Sequence, residues 1–399
     1  MLDVFDRARQ VCRAEAARAN MPKLRTMLAS AKTVAAVERL ARSDPRFAAR
    51  VQDWDSDDWL LNTPLGAINI RDGSDMPNMP AHYSTKATAV GASLDRPALW
   101  ISFLNRVTDG NAELQAFLQR VCGYCLTGST QEHAMFFLFG TGANGKSVFT
   151  NTISAIAGDY ATTSAMDTFT STSGERHPTD LAALRGARLV TATETEEGRH
   201  WAEARIKALT GGDKIAARHM RQDFFEFVPK FKLIVAGNHK PSFRNVDEAI
   251  KRRLHLIPFT TTIPPSERDP NLAEKLKEEW PTILNWMIDG ARYWQDCGLN
   301  PPPIVKEATA EYLDAEDAIA AWMSECIDLG DSHFEFSTDL FQSWRDWAER
   351  ARESVGTQKS FSQALLNRGF TQKRGTGGRK KFNGLLIRIR AYSGAHWNT

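Results

Sequence analysis

The run Gly140-Thr141-Gly142-Ala143-Asn144-Gly145-Lys146-Ser147 fits G-x-x-x-x-G-K-[S/T], a spacing suited to gripping the phosphates of a nucleotide such as ATP. Its glycines let the chain turn so that successive N–H groups converge on phosphate oxygens, and the N-terminus of a following helix adds partial positive charge. Lys146 is expected to reach the β and γ phosphates, and the Ser147 hydroxyl to ligate Mg²⁺; the binding stretch ends at Val148. An apolar run, Phe136 to Phe139, enters the loop, and a helix is expected from Ser147 to Ile156.

Hydrolysis also needs an acidic group to hold the metal and polarise water, at the end of a neighbouring strand. Arg188 to Thr193 reads as that strand, with Glu194 as first candidate for both metal and base work and Glu196 as second. No Asp-Glu pair stands there, so the two tasks are shared, and both glutamates facing solvent at a strand end is the bland alternative. The strand Leu233 to Gly237 delivers Asn238 to the same edge, where an amide can accept from water and donate to the γ phosphate. An Asn in an Asn-His-Lys-Pro turn is by itself an ordinary turn residue.

The elements that position these groups alternate: strands at Met135–Phe139, Arg188–Thr193 and Phe231–Ala236 with helices between them predict an α/β sheet, largely parallel. Four segments are expected: a mixed N-terminal domain over 1–130, a motor over 131–263, a helical extension over 264–333 and a small C-terminal domain over 334–399. In the first, Trp59 to Ile70 reads as short strands around a turn. In the last, two helices precede two strands around the basic tip Gly375 to Lys381, the order of a winged helix. Arg379, Lys380 and Lys381 are its expected DNA contacts; a docking domain with a solvated charge run is the alternative.

With 42% hydrophobic and 25% charged residues, the 399-residue composition is that of a globular protein with several cores. The formal charge is only +2, yet Ser354 to Thr399 holds nine Lys or Arg and no acid. Five irregularly spaced cysteines predict free thiols in a reducing compartment, and Cys122 and Cys125 fall in a helical pattern as core residues rather than metal ligands. Asp3, Asp6, Arg7 and Arg9 break any signal peptide, and no run approaches the roughly 18 apolar residues of a membrane span, so a cytoplasmic location and no membrane partner are expected.

The ordered series Gly142 to Ser147, Gly186 to Glu194, Lys207 to Asp213, Phe231 to Asn238, Pro241 and Arg252-Arg253-Leu254 resembles superfamily 3 helicases of the phage and plasmid primase-helicase type, related to poxvirus-like primase-helicases. The resemblance covers most of residues 55 to 395. It implies an AAA-like P-loop NTPase with a C-terminal winged helix, a homo-hexameric ring with ATP at each subunit interface, and single-stranded or forked DNA as partner. The phage and plasmid resemblance would place the cytoplasmic location in a bacterial host. A primase or DNA polymerase is a further expected partner, because no priming carboxylate cluster is visible.

Within that resemblance Arg253 matches the arginine donated in trans to the neighbour's nucleotide, with Arg252 second, and a solvated pair on a helix end as the alternative. Lys207 matches a recurrent lysine. The segment Lys214 to Phe227 reads as a hairpin, and the resemblance places a DNA-tracking hairpin there, with Lys214, Arg218, His219 and Arg221 on phosphates. A solvated basic tip would have the same sequence. His133, His177, His239 and His255 are read as structural. The function expected is an ATP-driven DNA helicase translocating on single strands; the rivals are a different ring ATPase and a replication-initiator scaffold that scarcely hydrolyses.

Overall fold

The computed structural model describes residues 2–45, 49–171, 179–194, 199–243, 246–315, 317–353, 355–374 and 379–388. Glu196, His177 and the glycines at 375, 377 and 378, all singled out above, lie outside those residues, as does the side chain of Glu194.

Two compact units emerge, one of residues 1–56 with 79–85, the other of 57–78 with 86–399. The first is helical: α1 (Leu2–Arg18), α2 (Pro22–Leu28) and α3 (Ala31–Ala41) bury Cys12, Ala16 and Val34. Pro22 starts α2 without losing a helical hydrogen bond, and the Ser30 hydroxyl caps α3 by accepting from the Thr33 N–H at 3.2 Å.

The second unit begins with a small antiparallel sheet of β1 (Leu60–Thr63), β2 (Gly66–Asn69) and β3 (Ser74–Met76), the strand-turn segment expected from the sequence. Helices α4 (Ala98–Val107) and α5 (Ala112–Leu126) follow. The buried residues in the first half of α5, Leu114, Phe117, Leu118 and Val121, recur at three- and four-residue spacing, so one helical stripe faces the core, and from Val121 to Leu126 the helix is buried all round. That stripe meets the large sheet directly, Phe117 lying 6.4 Å from Phe136. The expected 1–130 span is divided between the two units, since α4 and α5 share one core with the large sheet. Both cysteines are core residues, as read, and burial pushes the Cys125 thiol up to about 12.

The large sheet takes its strands from β4 (Met135–Phe139), β5 (Ala161–Thr163), β6 (Leu189–Glu194), β9 (Lys232–Gly237) and β10 (Leu254–Pro258), in the order β10-β4-β9-β6-β5. Every pairing is parallel. Its connections carry α6 (Lys146–Ala157), α7 (Thr179–Ala182), α8 (Glu203–Gly211), the two-stranded β7 (Ile215–Ala217) and β8 (Phe225–Phe227), and α9 (Glu248–Lys251). Parallel strands buried on both faces read as unbroken apolar runs, which is why β4 and β9 were visible in the sequence. Register sets the functional edge: Phe139 lies opposite Gly237, and Gly237 opposite Glu194, so β4, β9 and β6 end level.

Helices α10 (Leu272–Glu278) and α11 (Trp280–Cys297) then pack on α6 and α5, and α12 (Pro303–Ala315) packs on β10, whose Leu256 N–H donates to Thr309 Oγ1 of α12 at 2.9 Å. A separate core, with Trp322, Leu340, Trp344, Phe361, Leu365 and Phe382, unites α13 (Ala318–Cys326), β11 (Ile327–Phe336), α14 (Ser337–Ala351), α15 (Gln358–Asn367), β12 (Gln372–Arg374) and β13 (Lys380–Ile387). Its antiparallel sheet has the order β11-β13-β12. Strand therefore replaces helix from Ile327, ahead of residue 334, because Ile327 and Trp322 belong to this last core.

Candidate nucleotide-binding site

The 140–147 loop leaves β4 and enters α6, as its sequence requires, and Gly142, Ala143 and Gly145 hold φ of 104°, 48° and 86°. A β-carbon on Gly145 would come within 2.5 Å of Val107 Cγ1, and one on Gly140 within 2.0 Å of the Phe259 carbonyl oxygen. Two bonds from the chain after β10 pin the loop: Asn144 Nδ2 donates to Phe259 O at 2.7 Å, and the Ile263 N–H donates to Ala143 O at 2.8 Å. Thr141, Ala143 and Ser147 stay exposed, while Val148 is half-buried.

Lys146 is buried, and its ammonium donates to Gly140 O at 2.6 Å and to Asn144 Oδ1 and Asn238 Oδ1 at 3.1 Å each. Burial lowers its pKa below the usual lysine value. The structure thus joins two residues 92 positions apart that the sequence had assigned separately. Asn238 follows Gly237 as Gly140 follows Phe139, so the level strand ends place amide and loop side by side. Glu194 closes β6 opposite Gly237 on the same edge.

This arrangement fits a polyphosphate: a cradle too tight for side chains at Gly140 and Gly145, a buried ammonium at its floor and a polar amide beside it. It also fits Mg²⁺, which takes one or two protein oxygens and completes its shell with phosphate and water. Ser147, exposed in the first turn of α6, would supply one such oxygen, and the ion would neutralise phosphate charge.

The two arginines part company. Arg253 is buried, with Nε donating to Thr210 Oγ1 at 3.2 Å and one terminal nitrogen donating to Ala249 O at 2.8 Å. Arg252 is exposed. The Arg253 guanidinium is thus bonded inside its own fold, whereas that of Arg252 faces outward. Lys207 is ion-paired with Asp247, whose carboxylate also caps α9 by accepting from the Ile250 N–H at 3.0 Å.

The hairpin is present, with Ala216 opposite Glu226, and Arg221 turns its tip at φ 62°. Lys214, His219 and Arg221 are exposed, as are Met220 (75%) and Phe224 (61%); the Arg218 guanidinium lies 4.9 Å from the Phe224 ring and His219 stacks on Phe225 at 5.5 Å. In the last unit, Arg379 contacts Thr338 and Asp339 and stacks 4.0 Å over Phe336, Lys381 lies 4.0 Å over Phe334, and Lys380 is exposed. His133 Nδ1 lies 3.0 Å from Thr210 O, and burial lowers His255 to about 4, consistent with structural roles. Sequence reasoning did not single out Trp201, Lys240 and Tyr312, which gather beside the residues that follow Asn238; nothing in their spacing marks them. Among the described residues no group of three or more His, Cys, Asp or Glu is disposed to hold a metal, and no helix is long and apolar enough to cross a membrane.

Residues 1–109 match the family model described as "D5 N terminal like", and residues 138–253 match "Family of unknown function (DUF5906)". Three viral relatives are each named "Putative helicase". That of Acanthamoeba polyphaga mimivirus is 26% identical over 267 residues, covering 61% of this chain and 28% of its own length. That of Frog virus 3 is 26% identical over 255 residues, covering 58% and 26%. That of Invertebrate iridescent virus 6 is 28% identical over 295 residues, covering 63% and 30%. The chain thus spans less than a third of these relatives' length. The solved C-terminal region of NrS-1 is similar at 10% identity and a TM-score of 0.45, covering 74% of this chain and 78% of that one.

Proposed function

We propose that the chain is an ATP-dependent DNA helicase of the superfamily 3, primase-helicase type, working in replication of a phage, plasmid or other mobile element, a reading supported by the match of residues 1–109 to the D5 N-terminal-like model and by the viral relatives named putative helicases. The observation that carries the reading is the contact of Lys146 with Asn238 at the level strand ends that also bear Glu194. Lys146 exchanges its Asn238 partner for phosphate oxygens when nucleotide binds, which frees the amide to orient the attacking water, and Glu194 polarises that water.

The reading includes a ring, and the position of the arginines supports it. Leu254 pairs with Met135 and Pro258 with Phe139, so Arg252 sits at the entry end of the sheet and the phosphate loop at its exit. Five strand residues span roughly 17 Å at about 3.3 Å each, too far for Arg252 to serve its own loop. In a homo-hexamer it would instead reach the next subunit's nucleotide, where a guanidinium stabilises the charge of the transferring phosphoryl group. The strand order β10-β4-β9-β6-β5 supports the AAA-like reading of this motor.

DNA enters through two surfaces. Arg218, His219, Arg221 and Lys214 on the hairpin would track the backbone of a single strand without reading bases. The order α13, β11, α14, α15, β12, β13 supports a winged helix, in which Arg379, Lys380 and Lys381 flank the wing and contact forked or duplex DNA. ATP hydrolysis with and without single-stranded DNA, for the wild type and Lys146→Ala, tests the reading. Hydrolysis that DNA stimulates and Lys146→Ala abolishes is expected; DNA binding with no hydrolysis would point to an initiator scaffold.

A further inference from the structure

The chain segments that follow β6 and β9 are tied to each other. The Trp201 N–H donates to Ser242 O at 2.9 Å, and the Ser242 N–H donates to Arg199 O at 2.8 Å. Both segments converge on one hydroxyl of α12: Trp201 Nε1 donates to Tyr312 Oη at 3.3 Å, and Tyr312 Oη donates to Pro241 O in a short bond. Trp201, Phe243 and Tyr312 are buried and pack ring on ring, with Trp201 6.0 Å from Phe243 and Phe243 5.7 Å from Tyr312. Lys240 places its ammonium 4.2 Å from the Phe139 ring and 5.2 Å from the Tyr312 ring.

We infer that Tyr312 is a positioning residue that holds the Asn238 turn against Lys146, a role that rests on the proposed water-orienting function of Asn238. Pro241 has no N–H, so its carbonyl is the main-chain hydrogen-bonding group it offers, and Tyr312 occupies it three residues beyond Asn238. A buried hydroxyl that donates to one segment while accepting from the other anchors the main-chain-paired segments to α12, since losing it leaves Pro241 O and Trp201 Nε1 without that partner in a dry core. The phosphate loop has its own anchors at Phe259 and Ile263 and does not depend on this bond. Loss of the hydroxyl therefore loosens the Asn238 turn and spares the cradle. Because α12 is also bonded to β10 through Thr309, the brace is fixed to the sheet itself.

The test is Tyr312→Phe in the full chain, alone and with Asn238→Ala. The expected result is a fall in kcat of about tenfold, equivalent to about 1.4 kcal/mol of barrier. The dissociation constant for a fluorescent ATP analogue should stay within twofold, and Tyr312→Phe should add nothing in the Asn238→Ala background. Amide hydrogen exchange, which needs no turnover, should quicken at residues 239–243 and stay unchanged at 140–147. Additive losses with Asn238→Ala, equal loss of binding and kcat, or unchanged exchange at 239–243 would each overturn the inference. A wild type that does not hydrolyse ATP would instead remove the helicase reading and leave exchange to decide whether Tyr312 positions the turn.

Discussion

Lys146 Nζ lies 3.1 Å from Asn238 Oδ1, a bond between the phosphate loop after β4 and the turn after the adjacent strand β9. It makes the two side chains one unit whose parts have different tasks, since the ammonium binds charge and the amide orients water.

Replacing each in turn separates those tasks. Lys146→Ala should abolish nucleotide binding by loss of the buried ammonium, whereas Asn238→Ala should cut kcat by at least about tenfold, with ATP affinity changed less than about threefold. Equilibrium titration with a fluorescent ATP analogue, alongside steady-state hydrolysis, reads both.

The arginines should divide between function and stability. Arg253→Ala removes a buried guanidinium bonded to Thr210 and Ala249 and should lower unfolding stability by about 2 kcal/mol, measured as a shift in urea midpoint. Arg252→Ala should leave that midpoint unchanged and abolish hydrolysis. Mixing Arg252→Ala with Lys146→Ala subunits should restore part of the activity, because the intact loop of one then meets the intact arginine of the other. No recovery at any ratio would exclude an interfacial role for Arg252.

Salt dependence probes the hairpin. Arg218→Ala with Arg221→Ala should flatten the plot of log affinity for single-stranded DNA against log salt by about 1.4, at about 0.7 for each phosphate that the pair no longer neutralises, and leave DNA-independent hydrolysis within twofold. An unchanged slope would make the tip a solvated turn.

Stability should depend on pH through the buried Lys232. Burial holds its pKa at about 7, below the ordinary 10.5, with the ammonium near the carbonyls of Thr127, Ser129 and Lys230 and the Tyr124 ring. Between those values the unfolded chain carries a proton that the folded one does not, so stability rises with pH from about 7, by at most about 1.4 kcal/mol per unit. Burial raises the thiols of Cys122 and Cys125, which works the other way above their ordinary 9.0, so the rise should turn over near pH 9. Urea midpoints from pH 6 to 10 should show this limb in the wild type and lose it in Lys232→Met.

What the sequence disclosed and what it hid follow from range. The strand, turn and helix around the 140–147 loop depend on local glycine placement and on an apolar run, and both were readable. Strands β5 and β10 were not, being short and carrying Thr, His and Pro in place of a clean apolar run. The choice between Arg252 and Arg253 turns on which side chain points inward where α9 meets β10, a matter of register that adjacent identical residues conceal. Tyr312 was hidden because its role arises only where α12 packs against the turn after β9. The division of 1–130 was equally hidden, since the apolar stripe of α5 is the same whether it faces α1 or a sheet.

The most direct test of the central claim is displacement of a labelled strand from a forked duplex by the wild-type chain, with ATP and Mg²⁺, against Lys146→Ala. The account predicts ATP-dependent displacement that is absent in the variant; DNA binding with ATP hydrolysis but no displacement under any fork geometry would contradict it.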